Sequence, residues 1–153
     1  METYRHVLVA LDLSAEAEMV MRRAHDLALR YQAKMSLLHV VEPVVSDLGY
    51  DMLPALPVEM ESALVDRARE YLAKLARELT DDEVPQYVAI GSVKGEILRL
   101  AQTQSADLIV VGTHGRHGVA MMLGSTANAV LHGTPCDVLA VRIVEPGRAT
   151  SGP

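Results

Sequence analysis

The chain has no phenylalanine, no tryptophan, one cysteine, fewer basic than acidic residues and no long apolar run. Each shortage excludes something. Without Phe or Trp there is little to stack a base against, so a nucleobase would have to be held by aliphatic walls and main-chain hydrogen bonds. A lone cysteine, Cys136, rules out an internal disulfide, and its setting, Thr-Pro-Cys-Asp before an apolar run, reads as a packed thiol rather than a nucleophile. With 14 Lys and Arg against 20 Asp and Glu, the net charge is -6 and no basic cluster exists to grip a phosphate backbone or an anionic membrane. No nucleic-acid or membrane partner is therefore expected. The opening residues, Met1 to His6, carry no signal-peptide pattern, and no apolar run approaches the ~20 residues of a membrane span. A cytoplasmic protein is expected.

What is present is enough for one domain. Half of the 153 residues are apolar, which supports one substantial core. The domain is expected over residues 1–145, with 146–153 as a flexible C-terminal tail that begins at Pro146 and Gly147. Short apolar, β-branched segments predict strands at His6 to Asp12, Lys34 to Val41, Asp107 to Gly112 and Asp137 to Val144, with a weaker one at Gln86 to Ile90. Between them lie helical patterns. Ser14 is placed to cap a helix whose apolar face is Ala17, Val20, Ala24, Leu27, Ala28 and Tyr31. Leu64, Ala68, Leu72, Leu75, Ala76 and Leu79 form the same stripe on the next. A third helix runs from about Val93 to Gln104, and a fourth from Ser125 to about His132 with Gly133 as its stop. The stretch Glu42 to Glu59, with three prolines and Gly49, reads as a surface loop.

Strands that alternate with helices imply βαβ units, and apolar runs without alternation imply strands covered on both faces. The expected fold is a single doubly wound, Rossmann-like α/β domain, with a five-stranded parallel sheet of order 3-2-1-4-5. In such a sheet a ligand sits beyond the carboxyl ends of the strands, where the strand order reverses. The loops at that point would be Ala10 to Ser14 and the glycine-rich stretch that begins at Gly112.

That stretch, "VVGTHGRHGVAMMLGSTANAVL", holds Gly112, Gly115, Gly118 and Gly124 before a helix that opens with Ser125 and Thr126. A glycine loop entering a helix offers unpaired amides and about half a positive charge, which favour an anion. Gly112 and Gly115 let the chain pass close to a nucleotide. Asp12 suits ribose hydroxyls, a base, or a magnesium ion carried by phosphate. The spacing matches neither the Walker pattern nor Gly-x-Gly-x-x-Gly, and alone it also fits an ordinary loop before a capped helix.

"VVGTHGRHGVAMMLGSTANAVLHGTPCDVLAVR", with "YRHVLVALDLSAEAE" and "SLLHVVEP", resembles the universal stress protein family over nearly the whole chain. The family motif is Gly, two residues, Gly, nine residues, Gly, then Ser or Thr. Gly112, Gly115, Gly124 and Ser125 match it, except that eight residues separate Gly115 from Gly124. Some members of the family bind ATP or AMP and others, lacking the glycines, do not. The resemblance implies ATP as ligand, with Mg2+ arriving on the nucleotide. It implies Ala10 and Asp12 beside base and ribose, the Val40 backbone against adenine, and Val111, Gly112, Gly115, Gly124, Ser125 and Thr126 along the phosphates. It also implies a homodimer paired through the last strand, Val138 to Ile143, whose edge would otherwise be open. The function implied is a nucleotide-dependent regulatory or protective module in stress response, with no catalytic residue and at most slow hydrolysis. The alternative is a dimer that takes no nucleotide and works through protein contacts.

Other residues invite less. His114 and His117 lack further ligands nearby, so no metal site is expected. Arg116 is the cation nearest the expected phosphates. His39 is expected to be packed or hydrogen-bonded near the slot, and His132 suits a helix C-terminus. The eight methionines are scattered over different elements, as core filling would leave them.

Overall fold

The computed structural model describes residues 3–43, 58–113 and 125–143. In chain order the elements are β1 (His6–Ala10), α1 (Ala17–Tyr31), β2 (Lys34–Val41), α2 (Val58–Leu79), β3 (Gln86–Ile90), α3 (Val93–Thr103), β4 (Leu108–Gly112), α4 (Ser125–Gly133) and β5 (Asp137–Val141). All strand pairings are parallel, and the order is β3-β2-β1-β4-β5, as expected.

The two-sided burial follows from the apolar runs in β1, β2 and β4. Val7, Val9, Leu37, Leu108 and Val110 face one way and pack with α1 and α2, through Val20, Met21, Ala24, Leu72 and Leu75 among others. Leu8, Leu38, Ile109 and Val111 face the other way and pack with Ile97 and Leu100 of α3 and with Ala127 and Val130 of α4. Alternate residues of a strand point to opposite faces, so the four-residue apolar run Leu108 to Val111 serves two cores at once.

Several boundaries differ from the sequence expectation. β1 stops at Ala10 rather than Asp12. The Leu11 amide still donates to the Leu38 carbonyl, but Asp12 then folds back to accept hydrogen bonds from Ser14 and closes a turn. Ser14 consequently does not cap α1. Its hydroxyl is spent on Asp12, and Glu16 is the N-cap residue without a side-chain cap. Leu64 lies on the solvent side of α2, while Ala68, Leu72, Leu75 and Ala76 form the buried stripe. α2 also reaches back to Val58, inside the stretch expected as loop; residues 44–57 lie outside the described residues. Asp107 precedes β4 rather than opening it, and β5 ends at Val141, with Arg142 and Ile143 beyond it. Val144 and the expected tail lie outside the described residues.

Local sequence accounts for the other ends. Ser92 caps α3 by accepting the Gly95 amide at 3.1 Å. Gln32 ends α1 in the left-handed conformation at φ 54°, and the following amide of Ala33 bonds back to Ala28. Gly133 is the last residue of α4, and a Cβ there would lie 2.8 Å from Leu98 Cδ1 and 3.0 Å from Lys94 Cε. Its small size lets α4 lie against α3.

Candidate functional site

Three neighbouring strands, β2, β1 and β4, deliver residues to the switch point at their carboxyl ends. Ala10 ends β1, Val40 lies one residue before the end of β2, and Val111 and Gly112 end β4. Ala10, Val40 and Val111 all pack on the α3/α4 side of the sheet, Val111 buried and the other two half-buried. They form an aliphatic wall. Gly112 pairs with Val141 of β5, and Thr113 continues that ladder by donating its amide to the Val141 carbonyl at 2.9 Å. The Thr113 hydroxyl accepts the Ile143 amide at 3.2 Å, so the exit from β4 is tied to the exit from β5.

Because α4 connects the end of β4 to the start of the parallel strand β5, its amino end lies on the switch-point side of the sheet. Ser125 is its first residue and Thr126, half-buried, its second. Ala127 and Val130 anchor the helix against Ile109 and Val111. Ala10, Asp12, Val40, Val111, Gly112, Ser125 and Thr126 are thus placed on the same side of the fold. Gly115 and Gly124 lie outside the described residues, as do His114, Arg116 and His117.

Asp12 is half-buried in the loop after β1. Its Oδ1 accepts from the Ser14 amide at 3.2 Å and from the Ser14 hydroxyl. Among the described residues Oδ2 takes no protein hydrogen bond, which leaves one carboxylate oxygen for a hydroxyl or a hydrated cation. His39 stands beside this loop, with Nδ1 2.8 Å from the Leu11 carbonyl. The expectation of a hydrogen-bonded histidine is met. Tyr71 of α2, which the sequence did not single out, donates its hydroxyl to the Ser14 carbonyl at 3.0 Å. Burial, and secondarily the charge of Asp12, raise its phenol above the ordinary 10.0. Its only sequence signal was a polar-tipped ring beside the apolar stripe of α2.

The amino ends of the strands are built differently. A groove of about 570 Å3 runs there, with His6 and Ser36 on its wall. His6 Nδ1 lies 3.0 Å from the Gln104 carbonyl and Nε2 2.8 Å from the Ser36 hydroxyl, so both ring nitrogens are engaged. Ser36 is buried and satisfied by this bond. Cys136 is half-buried at the foot of β5, its sulfur 3.2 Å from the Thr134 hydroxyl, consistent with a packed thiol. Among the described residues no group of three or more His, Cys, Asp or Glu side chains converges as metal ligands, and no helix is long and apolar enough to cross a membrane.

The chain as a whole has counterparts among known proteins. Universal stress protein A homolog 2 of Coxiella burnetii is 40% identical over 144 residues, covering 94% of this chain and 98% of that protein. Homolog 1 of the same organism is 38% identical over 142 residues, 93% and 99% of the two chains. Among solved structures, universal stress protein UspA from Lactobacillus plantarum is 27% identical with a TM-score of 0.74, covering 93% of this chain and all of that one. A universal stress protein crystallised in complex with cAMP shares the fold at 22% identity and a TM-score of 0.66, covering 92% and 98%. Residues 3–142 match the profile of the Universal stress protein family, a span that runs from the segment before β1 to the end of β5. With that span matched and relatives aligned end to end, the chain belongs to the universal stress protein family.

Proposed function

We propose that this protein binds ATP or AMP at the switch point of its sheet and acts as a cytoplasmic, nucleotide-dependent regulatory or protective module in stress response. The observation that carries this reading is the convergence of Ala10, Val40 and Val111 on one aliphatic wall at the strand ends that also deliver Gly112 and the Asp12 carboxylate, whose Oδ2 takes no hydrogen bond among the described residues. The amino end of α4 lies on the same side. An apolar slot with a few placed polar groups suits a purine, which the scarcity of aromatics already required to be held by aliphatic contacts. The family relative that holds cAMP shares this fold and lends support to an adenine ligand.

The donor set fits a magnesium nucleotide. Asp12 would meet the ribose or the hydrated ion, and the Ser125 and Thr126 amides with the helix dipole would meet phosphate. Gly115 and Gly124 complete the motif in sequence. Fast phosphoryl transfer needs a positioned base and cationic clamps; Asp12, His114 and Arg116 are the candidates in sequence and no Walker or kinase signature supports them, so the proposed role is binding rather than turnover. The edge formed by β5 and the residues that follow it, Val138 to Ile143, is the proposed surface for a homodimer.

The test is to denature freshly purified protein, identify any released nucleotide by mass spectrometry, and titrate the stripped protein with ATP and magnesium by calorimetry. Saturation near one nucleotide per chain is expected. No carried nucleotide and no heat would reject the reading in favour of a dimer that acts through protein contacts, with the eight-residue spacing between Gly115 and Gly124 as the cause.

A further inference from the structure

The loop from Leu11 to Ser14 is fixed at more points than its length requires. The Leu11 amide donates to the Leu38 carbonyl at 2.8 Å, extending the β1–β2 ladder by one bond. The Leu11 carbonyl accepts a hydrogen bond from His39 Nδ1 at 2.8 Å, and because a carbonyl only accepts, that nitrogen carries the hydrogen. Three residues on, the Ser14 carbonyl accepts from the Tyr71 hydroxyl at 3.0 Å. Between these two anchors sits Asp12, whose Oδ1 is closed onto Ser14.

The two side-chain anchors come from separate elements, β2 and α2, and grip the carbonyls on either side of Asp12. We infer that His39 and Tyr71 are positioning residues for Asp12, holding its second carboxylate oxygen, Oδ2, at the switch point before a ligand arrives. A loop that is ordered in advance does not have to be ordered on binding, so the two tethers act as affinity determinants without touching the ligand. The ligand itself rests on the proposed nucleotide function; the positioning does not.

The side chains allow narrow substitutions. Tyr71→Phe removes one oxygen and keeps the ring that packs against the α1/α2 core. His39→Leu removes the donor, and His39→Asn offers an amide donor near the place of Nδ1. Two readouts are needed: exchange of the Ser14 amide by NMR, and calorimetric titration with magnesium ATP. The Tyr71→Phe and His39→Leu variants should exchange the Ser14 amide at least about tenfold faster while the Ile109 amide in the core is unchanged, and His39→Asn should recover most of the protection. Affinity for magnesium ATP should fall about three- to tenfold in each, the size of one lost neutral hydrogen bond. In an Asp12→Asn background the Tyr71→Phe loss should shrink below about twofold, because both changes then act on the same group. Unchanged Ser14 exchange, or losses that simply multiply with that of Asp12→Asn, would overturn the inference. If the parent protein takes no ATP, the nucleotide reading fails by itself, and the Ser14 and Ile109 exchange rates alone decide whether the two side chains hold the loop.

Discussion

Tyr4 donates its hydroxyl to Asp137 Oδ2 at 2.7 Å, tying the segment before β1 to the first residue of the edge strand β5 across 133 positions of sequence. The bond to the carboxylate, with burial and the charge of Asp137 after it, pushes the Tyr4 phenol up from 10.0 to about 12. A group whose proton is held more tightly in the folded chain adds stability that is full below its unfolded pKa and is lost as pH rises through the folded one. The window is therefore from 10.0 to about 12. The stability difference between the parent and Tyr4→Phe should be constant up to about pH 9 and shrink above it. Urea unfolding of both proteins at about pH 8 and about pH 11 measures this, and an unchanged gap would show that the bond does not govern the titration.

Asp107 is a second clasp on the same segment. Its carboxylate accepts the Arg5 amide at 2.9 Å and the His6 amide at 3.0 Å, satisfying the entry to β1 before the sheet ladder begins. Asp107→Ala should lower stability by about 1.5–3 kcal/mol, the range for hydrogen bonds to a charged group. The nearby Arg5 guanidinium, 3.9 Å away and largely exposed, adds little to that. A shift of the urea midpoint at unchanged slope would confirm the loss; a midpoint within error of the parent would refute it.

Ile109, the second residue of β4, is fully buried opposite Leu8 on one side and Val138 on the other. Ile109→Ala should cost about 2–5 kcal/mol, because a pleated sheet between two helical layers cannot collapse into the space. Thermal denaturation of the variant is the check, and a fall in Tm of only a degree or two would mean that the α3/α4 layer closes over the gap.

Gly115→Val should abolish nucleotide binding by bulk at the second glycine of the motif and leave the far-ultraviolet circular dichroism and urea midpoint as they were. Calorimetry with magnesium ATP measures the first and denaturant titration the second. Equal affinity in the variant would remove Gly115 from the site.

The sheet was legible because β1, β2, β4 and β5 are short, largely apolar segments that serve two cores. The switch-point residues followed from topology and motif together. What escaped the sequence depends on partners far apart in it. His6 spans the Gln104 carbonyl and Ser36, Asp107 clasps residues about a hundred positions earlier, and Tyr71 finds the Ser14 carbonyl. No local pattern encodes such pairs. Ser14 misled for a related reason: its hydroxyl had two possible acceptor or donor roles, and the carboxylate two residues before it offered a closer partner than the helix amides. Gly133 reads in sequence as a helix stop, yet its lack of a side chain also serves the approach of α4 to α3, which only the fold reveals.

The place of β1 in the sheet bears on how the chain is made. β1 pairs with β2, which starts at Lys34, and with β4, which starts at Leu108. During synthesis the amino-terminal half emerges first. Once β3 is complete at Ile90 and until β4 begins at Leu108, β3, β2 and β1 can assemble while the far side of β1 has no neighbour, exposing the backbone groups between Val7 and Val9 that later bond to β4. The nascent protein thus carries an adhesive flank until its last third leaves the ribosome, so a premature stop before Leu108 would yield an aggregation-prone fragment rather than a smaller stable domain.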